Sequence, residues 1–230
     1  MTALRWTLGL LVVAALVGLL LTVAPGLAAP QHEGRPIAHV MGWQGHAWLE
    51  RESRAAEEDP DKLHTLLKVQ PGQTVMDLGC GSGYHARRLA RAVGPKGRVV
   101  CVDLQPEMLT IAEQHAKAAG ITNIDFVRGA VAEVPVRPGS IDLALLVDVY
   151  HEFSEPGAML ASLKKALAPK GKVAIVEFRL EGTTASHIKV DHRMAKDQVV
   201  KELTKAGYAL DRTDDGLPNQ HLLVFGVAGS

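Results

Sequence analysis

The sequence predicts an α/β protein: a mostly parallel sheet of seven strands, helices on both faces and an antiparallel hairpin at one edge. Three observations carry that prediction. Short apolar, β-branched runs alternate with stretches of helical spacing from residue 74 onward. Glycine and proline punctuate most changes of element. The last two apolar runs follow one another with no helical stretch between them, so they pair as a hairpin.

Thr74-Val-Met-Asp-Leu-Gly79 reads as the first buried strand. Tyr84 to Val93 puts Ala86, Leu89, Ala90 and Val93 on one face, a helix that stops at Gly94-Pro95. Arg98 to Asp103 is the second strand, and Pro106 opens a helix running to Ala119 with Gly120 as its stop. Ile124 to Arg128 is the third strand; Ile141 to Val149 is the fourth, apolar enough to be covered on both faces. Pro156 to Ala168 is a helix ended by Pro169-Lys170-Gly171, and Lys172 to Phe178 is the fifth strand. Ala195 to Ala206 is a helix closed by Gly207, and Tyr208 to Arg212 with His221 to Gly226 completes the seven strands. Upstream, Asp61 to Lys68 is a short helix stopped by the Pro71-Gly72 turn. Gln31 to Pro60 is irregular, then amphipathic. Its stretch from Arg35 to Met41 and on to Arg51 is placed to cover the sheet as a lid, with Trp43 and Trp48 expected to pack rather than bind.

Composition narrows the function. Lys plus Arg equals Asp plus Glu, 25 each, so the net charge is zero. Nucleic-acid binders carry a basic excess to neutralise phosphates, and ten Phe, Trp and Tyr residues leave little for stacking bases, so no nucleic-acid partner is expected. Residues 1–29 are a different material. Trp6 to Ala24 holds no charge, Arg5 precedes it, and Gly26-Leu27-Ala28 suits cleavage of a signal peptide. The same run is long enough to stay as a membrane anchor. A buried core helix is the third reading, against which stands the lack of a polar face. The expected organisation is thus a leader or anchor at 1–29, a lid segment at 30–70 and the main domain at 71–230. The chain is expected to be exported (periplasmic) or anchored by residues 6–24, on a side that the balanced Arg5 and Arg35 leave open. Without Arg5 the remainder carries 24 basic against 25 acidic residues.

The segment Asp77-Leu-Gly79-Cys-Gly81-Ser-Gly83 lies between the first strand and its helix. Glycine there permits a tight turn and close approach of a ligand to the backbone, and the helix start offers free N–H groups. Asp103 ends the next strand, where a carboxylate can accept both hydroxyls of a ribose. The spacing is G-x-G-x-G rather than the dinucleotide pattern, and no Gly-Lys-Ser/Thr follows, which sets aside a phosphate-binding loop. A dinucleotide dehydrogenase is the weakest of the readings. Cys80 and Cys101 could be bridged only with Cα atoms within about 7 Å. Their offset along the strands argues against that, and they read as small buried thiols.

These two motifs resemble those of the class I S-adenosylmethionine-dependent methyltransferases, over about Gln73 to Phe225. The resemblance implies a Rossmann-like sheet and S-adenosylmethionine as cofactor. It implies that Gly79, Gly81 and Gly83 pass under the methionine part, that Asp77 reaches its ammonium directly or through water, that Asp103 takes the ribose and that Leu104 lies on the adenine. Many members place an acid just after the third strand for the adenine amino group. Gly129-Ala-Val-Ala132 has none and Glu133 is the nearest, so adenine falls to backbone groups or to Val131. The wider pattern, with Asp148-Val-Tyr-His-Glu-Phe153, resembles bacterial exported methyltransferase-domain proteins.

The fourth strand ends in that Asp148–Phe153 segment, on the rim where the resemblance puts the transferable methyl. Asp148 and His151 are candidate acid–base groups, Tyr150 and Glu152 candidate substrate contacts, and Glu177, ending the fifth strand, a further catalytic candidate. His151 is equally readable as a hydrogen-bonded structural histidine. His187, Asp191 and His192 lack metal-ligand spacing, and no metal is expected. The expected activity is methyl transfer to a small-molecule or lipid-like acceptor; the alternative is a cofactor-binding module without turnover.

Overall fold

The computed structural model describes residues 30–182 and 184–229. The apolar run from Trp6 to Ala24 lies outside them. Among the described residues, no helix is long and apolar enough to cross a membrane.

The described chain starts with a two-residue hairpin, β1 (Gln31–His32) and β2 (Arg35–Pro36), then three short helices, α1 (His46–Leu49), α2 (Arg54–Glu58) and α3 (Pro60–Leu67). β3 (Thr74–Leu78), α4 (Tyr84–Val93), β4 (Arg98–Asp103), α5 (Pro106–Ala118) and β5 (Ile124–Arg128) form the first half of the main unit. β6 (Ile141–Val147), α6 (Pro156–Ala166), β7 (Leu167–Phe178), α7 (Lys196–Lys205), β8 (Tyr208–Asp214) and β9 (Gln220–Val227) complete it.

The strands form one seven-stranded sheet in the order β5-β4-β3-β6-β7-β9-β8. β3 to β7 are mutually parallel, and β9 runs antiparallel between β7 and the edge strand β8. This is the Rossmann-like arrangement with an edge hairpin that the alternation of runs predicts. Side chains alternate across the sheet as the pleat requires. Val75, Val99, Leu143, Leu145 and Val176 face α3, α4 and α5 through Leu63, Leu89, Val93 and Leu109. Met76, Val100, Ala144, Leu146 and Ile175 face α6 and α7 through Leu160, Leu163, Val199 and Leu203. Both faces are therefore covered, which is why the strands read as continuous apolar runs.

Two of the boundaries that differ from the sequence expectation have a clear physical cause. β6 stops at Val147, because Asp148 adopts a left-handed backbone (φ 50°) that turns the chain out of the sheet. At the other end, α6 stops at Ala166 and Leu167 already pairs with Ile141. The ladder then skips to Leu143↔Lys172, so Ala168 to Gly171 form a bulge rather than a free turn. A side chain on Gly171 would sit 2.6 Å from the Ile141 carbonyl, so glycine is required there.

The β6 exit turn is held by a buried polar cluster. Arg35 donates to both oxygens of Glu202 on α7 (2.8 and 3.2 Å) and to the carbonyl of His151 (3.1 Å). The Tyr150 hydroxyl donates to the same Glu202 carboxylate at 2.7 Å. A second polar chain runs along α4: Arg54 contacts His85 Nε2 and His85 Nδ1 contacts His64 Nε2, each at 3.1 Å. Burial, with nearby Arg88, depresses the His64 imidazole from 6.5 to about 4, and His85 is lowered further by burial and Arg54.

The unfolded His64 takes up its proton near 6.5 and the folded one only near 4, so the unfolded chain binds the extra proton in that window. The His64 contribution is thus complete above pH 6.5 and is lost as pH drops toward 4, about 3 kcal/mol at roughly 1.4 kcal/mol per unit, against the opposite slope of Asp77 and Glu152, both raised to about 7. Urea unfolding at a series of pH values measures this. His64→Gln is expected to flatten the slope, and an unchanged slope would refute the assignment.

Candidate active site

A cavity of about 330 Å³ opens on the sheet rim formed by the carboxyl ends of the parallel strands, with Gly79, Asp103, Gly129 and Asp148 on its wall. This rim lies where the strand order reverses between β3 and β6, the crevice that open α/β sheets use for ligands. Its outer wall comes from the segment before the sheet: Val40, Met41, Trp48, Leu49 and Arg54. The segment expected as a lid thus lies along the cavity wall. It is tied down by Gln105, whose side chain donates to the Met41 carbonyl (2.9 Å) and accepts from the Trp43 N–H (2.8 Å). Glu50 adds contacts to Ser82 (2.6 Å) and Arg87 (2.7 Å). Trp48 does not pack inside; it stays 41% exposed on the cavity wall beneath the Arg51 guanidinium.

The glycine loop forms the cavity floor. Gly79 and Gly81 have positive φ, and a Cβ on Gly79 would strike Val149 at 2.3 Å, so no other residue fits. Gly83 has a different job from the one expected: it caps α4, away from the cavity, and a Cβ there would sit 3.0 Å from the Ala112 side chain of α5. The loop also corrects the reading of the cysteines. Cys80 and Cys101 form a disulfide with Cα atoms 5.5 Å apart. The offset along the strands is cancelled because the N–H groups of Gly79 and Cys80 both donate to the Val102 carbonyl (2.7 and 3.1 Å), folding the loop back over β4.

Asp103 accepts from the N–H of Gly81 and of Gln105, each at 2.9 Å, and remains on the cavity wall. Burial raises its pKa against those donors. Leu104 (42% exposed) and Val131 (47% exposed) stand beside it at the cavity mouth, while Glu133 is exposed and does not line the cavity. Asp77 is not on the wall. It lies buried behind the loop toward the first turn of α4, where burial pushes its pKa up to about 7. Of the two routes to a ligand ammonium that the resemblance implies, direct and through water, this position behind the loop suits the second.

At the end of β6, Asp148 lines the cavity with one oxygen held by Gln220 (2.7 Å) and the other buried without a partner. Burial and the nearby Glu58 and Glu177 raise its pKa well above the carboxylate range. His151 also lines the cavity. Its Nδ1 meets Glu177 Oε2 at 2.6 Å, its N–H donates to Glu177 Oε1 at 3.2 Å, and its Nε2 is buried without a partner. Burial opposes the charged imidazolium, but Glu177 and Glu152 outweigh it and the His151 pKa is raised. Glu152 lines the cavity and accepts from the Met41 N–H at 3.2 Å, with burial lifting its pKa to about 7. Two sequence candidates move elsewhere. Glu177 is fully buried off the wall and hydrogen-bonds to His151, which lines it. Tyr150 is fully buried in the core on Glu202, so it is no substrate contact.

A methyltransferase-domain family model matches residues 70–216, more than half of the chain. The chain belongs to the methyltransferase-domain family. It is 36% identical over 111 residues to 2-phytyl-1,4-naphtoquinone methyltransferase of Trichormus variabilis, 48% of each chain. It is 33% identical over 107 residues to arsenite methyltransferase of Halobacterium salinarum, 46% of this chain and 27% of that one. The aligned parts thus span half or less of these relatives. An S-adenosylmethionine-dependent methyltransferase from Aquifex aeolicus shares the fold, with a TM-score of 0.78 at 24% identity, covering 82% of this chain and 100% of that one.

The cofactor of the methyltransferase domain is S-adenosylmethionine, and the cavity suits it. Gly79 and Gly81 present backbone to the cavity, their missing side chains making way for Val149 and Leu49, Asp103 offers a carboxylate on the same wall, and the orphaned Asp148 oxygen matches an ammonium. Arg54, missed by the sequence reading, supplies a buried cation on the methyltransferase cavity wall, held by Glu58 (2.6 Å). The mixed charges of Arg51 to Glu58 were its only signal in the sequence.

Proposed function

We propose that this chain is an S-adenosylmethionine-dependent methyltransferase acting on a small-molecule or lipid-like acceptor. The observation that carries the reading is the joint placement of the Gly79 and Gly81 backbone and the Asp103 carboxylate on one cavity wall, Asp103 held by the Gly81 N–H. When bound, S-adenosylmethionine supplies an electrophilic methyl group. Asp103 would accept the ribose hydroxyls; Leu104, Val131 and the backbone of Gly129 would flank the adenine; Asp148 and Arg54 would hold the charged ends of the methionine part. Exposed Val40 and Trp48 stand at the mouth opposite, which favours an apolar acceptor. Glu177 fixes the His151 ring so that Nε2 points its lone pair at the cavity, where it can take the proton of a hydroxyl-bearing acceptor. The relatives that methylate quinones and arsenite support a small-molecule acceptor. The paired cysteines and the apolar run at residues 6–24 support a chain directed to or across the membrane, into an oxidising compartment.

Calorimetric titration with S-adenosylmethionine tests the cofactor. We expect saturable binding, weakened about tenfold to a hundredfold in Asp103→Asn by loss of a charged hydrogen-bond acceptor; no heat at millimolar cofactor would overturn the reading. For the base, His151→Ala is expected to lower kcat on a hydroxyl acceptor by about 10² or more while cofactor affinity stays within a few fold. Glu177→Gln is expected to fall between that variant and the parent. Equal kcat in all three would return His151 to a structural role. Trapping the thiols in whole cells by acid precipitation, then alkylating the denatured protein with and without reduction, tests location: an exported chain labels only after reduction, a cytosolic one labels without it.

A further inference from the structure

The cavity holds one cluster that methyl transfer does not require. His151, Glu152 and His192 bring one donor atom each within 4.8 Å of one another at the cavity wall. Two features distinguish the cluster from chance proximity. First, each histidine has a carboxylate on Nδ1: Glu177 at 2.6 Å for His151 and Asp191 at 2.9 Å for His192. That pairing fixes the tautomer and leaves Nε2 of each ring as the donor, the outer-shell arrangement typical of metal-bound histidines. Second, His151 Nε2 is buried with no hydrogen-bond partner, although burying an unpaired nitrogen costs roughly 1–3 kcal/mol. The two rings lie 5.1 Å apart, and the Glu152 carboxylate, anchored to the lid through Met41, completes the set.

We propose that His151, Glu152 and His192 bind a divalent ion of the Zn2+ class at the acceptor end of the cavity. Two imidazoles and one carboxylate are a donor set that suits such an ion and leaves a fourth position open. That position faces the cavity, so the ligand it would take is an oxygen or sulfur atom of the acceptor, whose pKa the ion would lower. In the loaded protein the ion replaces the His151 lone pair in that task. The site itself stands apart from the methyltransferase reading; only its use on an acceptor rests on that reading. The spacing hides it, since two ligands are adjacent in sequence and the third comes from the loop before α7.

The test is titration of tag-free full-length protein with Zn2+ by calorimetry and with Co2+ by visible absorption, without cofactor or acceptor. We expect one equivalent bound, with Co2+ bands of a low-coordinate nitrogen–oxygen site. His192→Ala and Glu152→Gln are each expected to weaken binding a hundredfold or more, and Asp191→Asn and Glu177→Gln about tenfold to a hundredfold through loss of the outer carboxylate. Cofactor titration and the unfolding midpoint of each variant separate a lost site from a lost fold. No stoichiometric binding, or binding unchanged in both His192→Ala and Glu152→Gln, would overturn the site and leave the methyltransferase reading untouched.

Discussion

The buried pair of Arg35 and Glu202 decides where the reactive end of the fourth parallel strand lies. Stripping two charges of water costs several kcal/mol for each, and only dense hydrogen bonding recovers it. Here the carboxylate receives Arg35, the Tyr150 hydroxyl and Gln198, while Arg35 also reaches the His151 carbonyl. Three distant parts of the chain, the start of the lid, the exit of β6 and α7, meet at that one point. His151 inherits its position from the meeting, because its own backbone oxygen also accepts the Ala38 N–H at 3.1 Å. Glu177 then orients the ring from the opposite side.

The polar residues of the site are concentrated where the sheet reverses its order, and the backbone there departs from ordinary strand geometry. Asp148 sits in a left-handed conformation that a non-glycine residue adopts only when its surroundings impose it. With one oxygen satisfied by Gln220 and one unsatisfied, it is an acid held in the cavity wall at some cost to the fold. Such outliers collect at functional sites, where binding rather than folding satisfies them.

The sheet was legible because both of its faces are covered: apolar runs with helical stretches between them leave few other topologies. The glycine loop and Asp103 were legible because their chemistry depends on the backbone, and the backbone demand shows as glycine. What was not legible depends on tertiary direction. Tyr150, His151 and Glu152 are consecutive, yet a single turn of tight helix sends the first into the core and the other two to the cavity. Arg54 and His192 reach the site from segments with no periodicity of their own. The disulfide was misread because strand offset alone ignores a loop that folds back on the neighbouring strand's carbonyl.

Asp103 has a second partner whose importance is thermodynamic. One of its oxygens holds the N–H of Gln105, and the side chain of Gln105 holds the lid at Met41 and Trp43. A ligand that engages Asp103 therefore acts on the residue that tethers the lid, and an acceptor pressing on Val40 or Trp48 acts on the same tether from outside. Coupling of this kind is reciprocal: whatever factor one ligand adds to the affinity of the other must be returned in full. The floor and the roof of this cavity form a single cooperative unit, with Gln105 as its linkage.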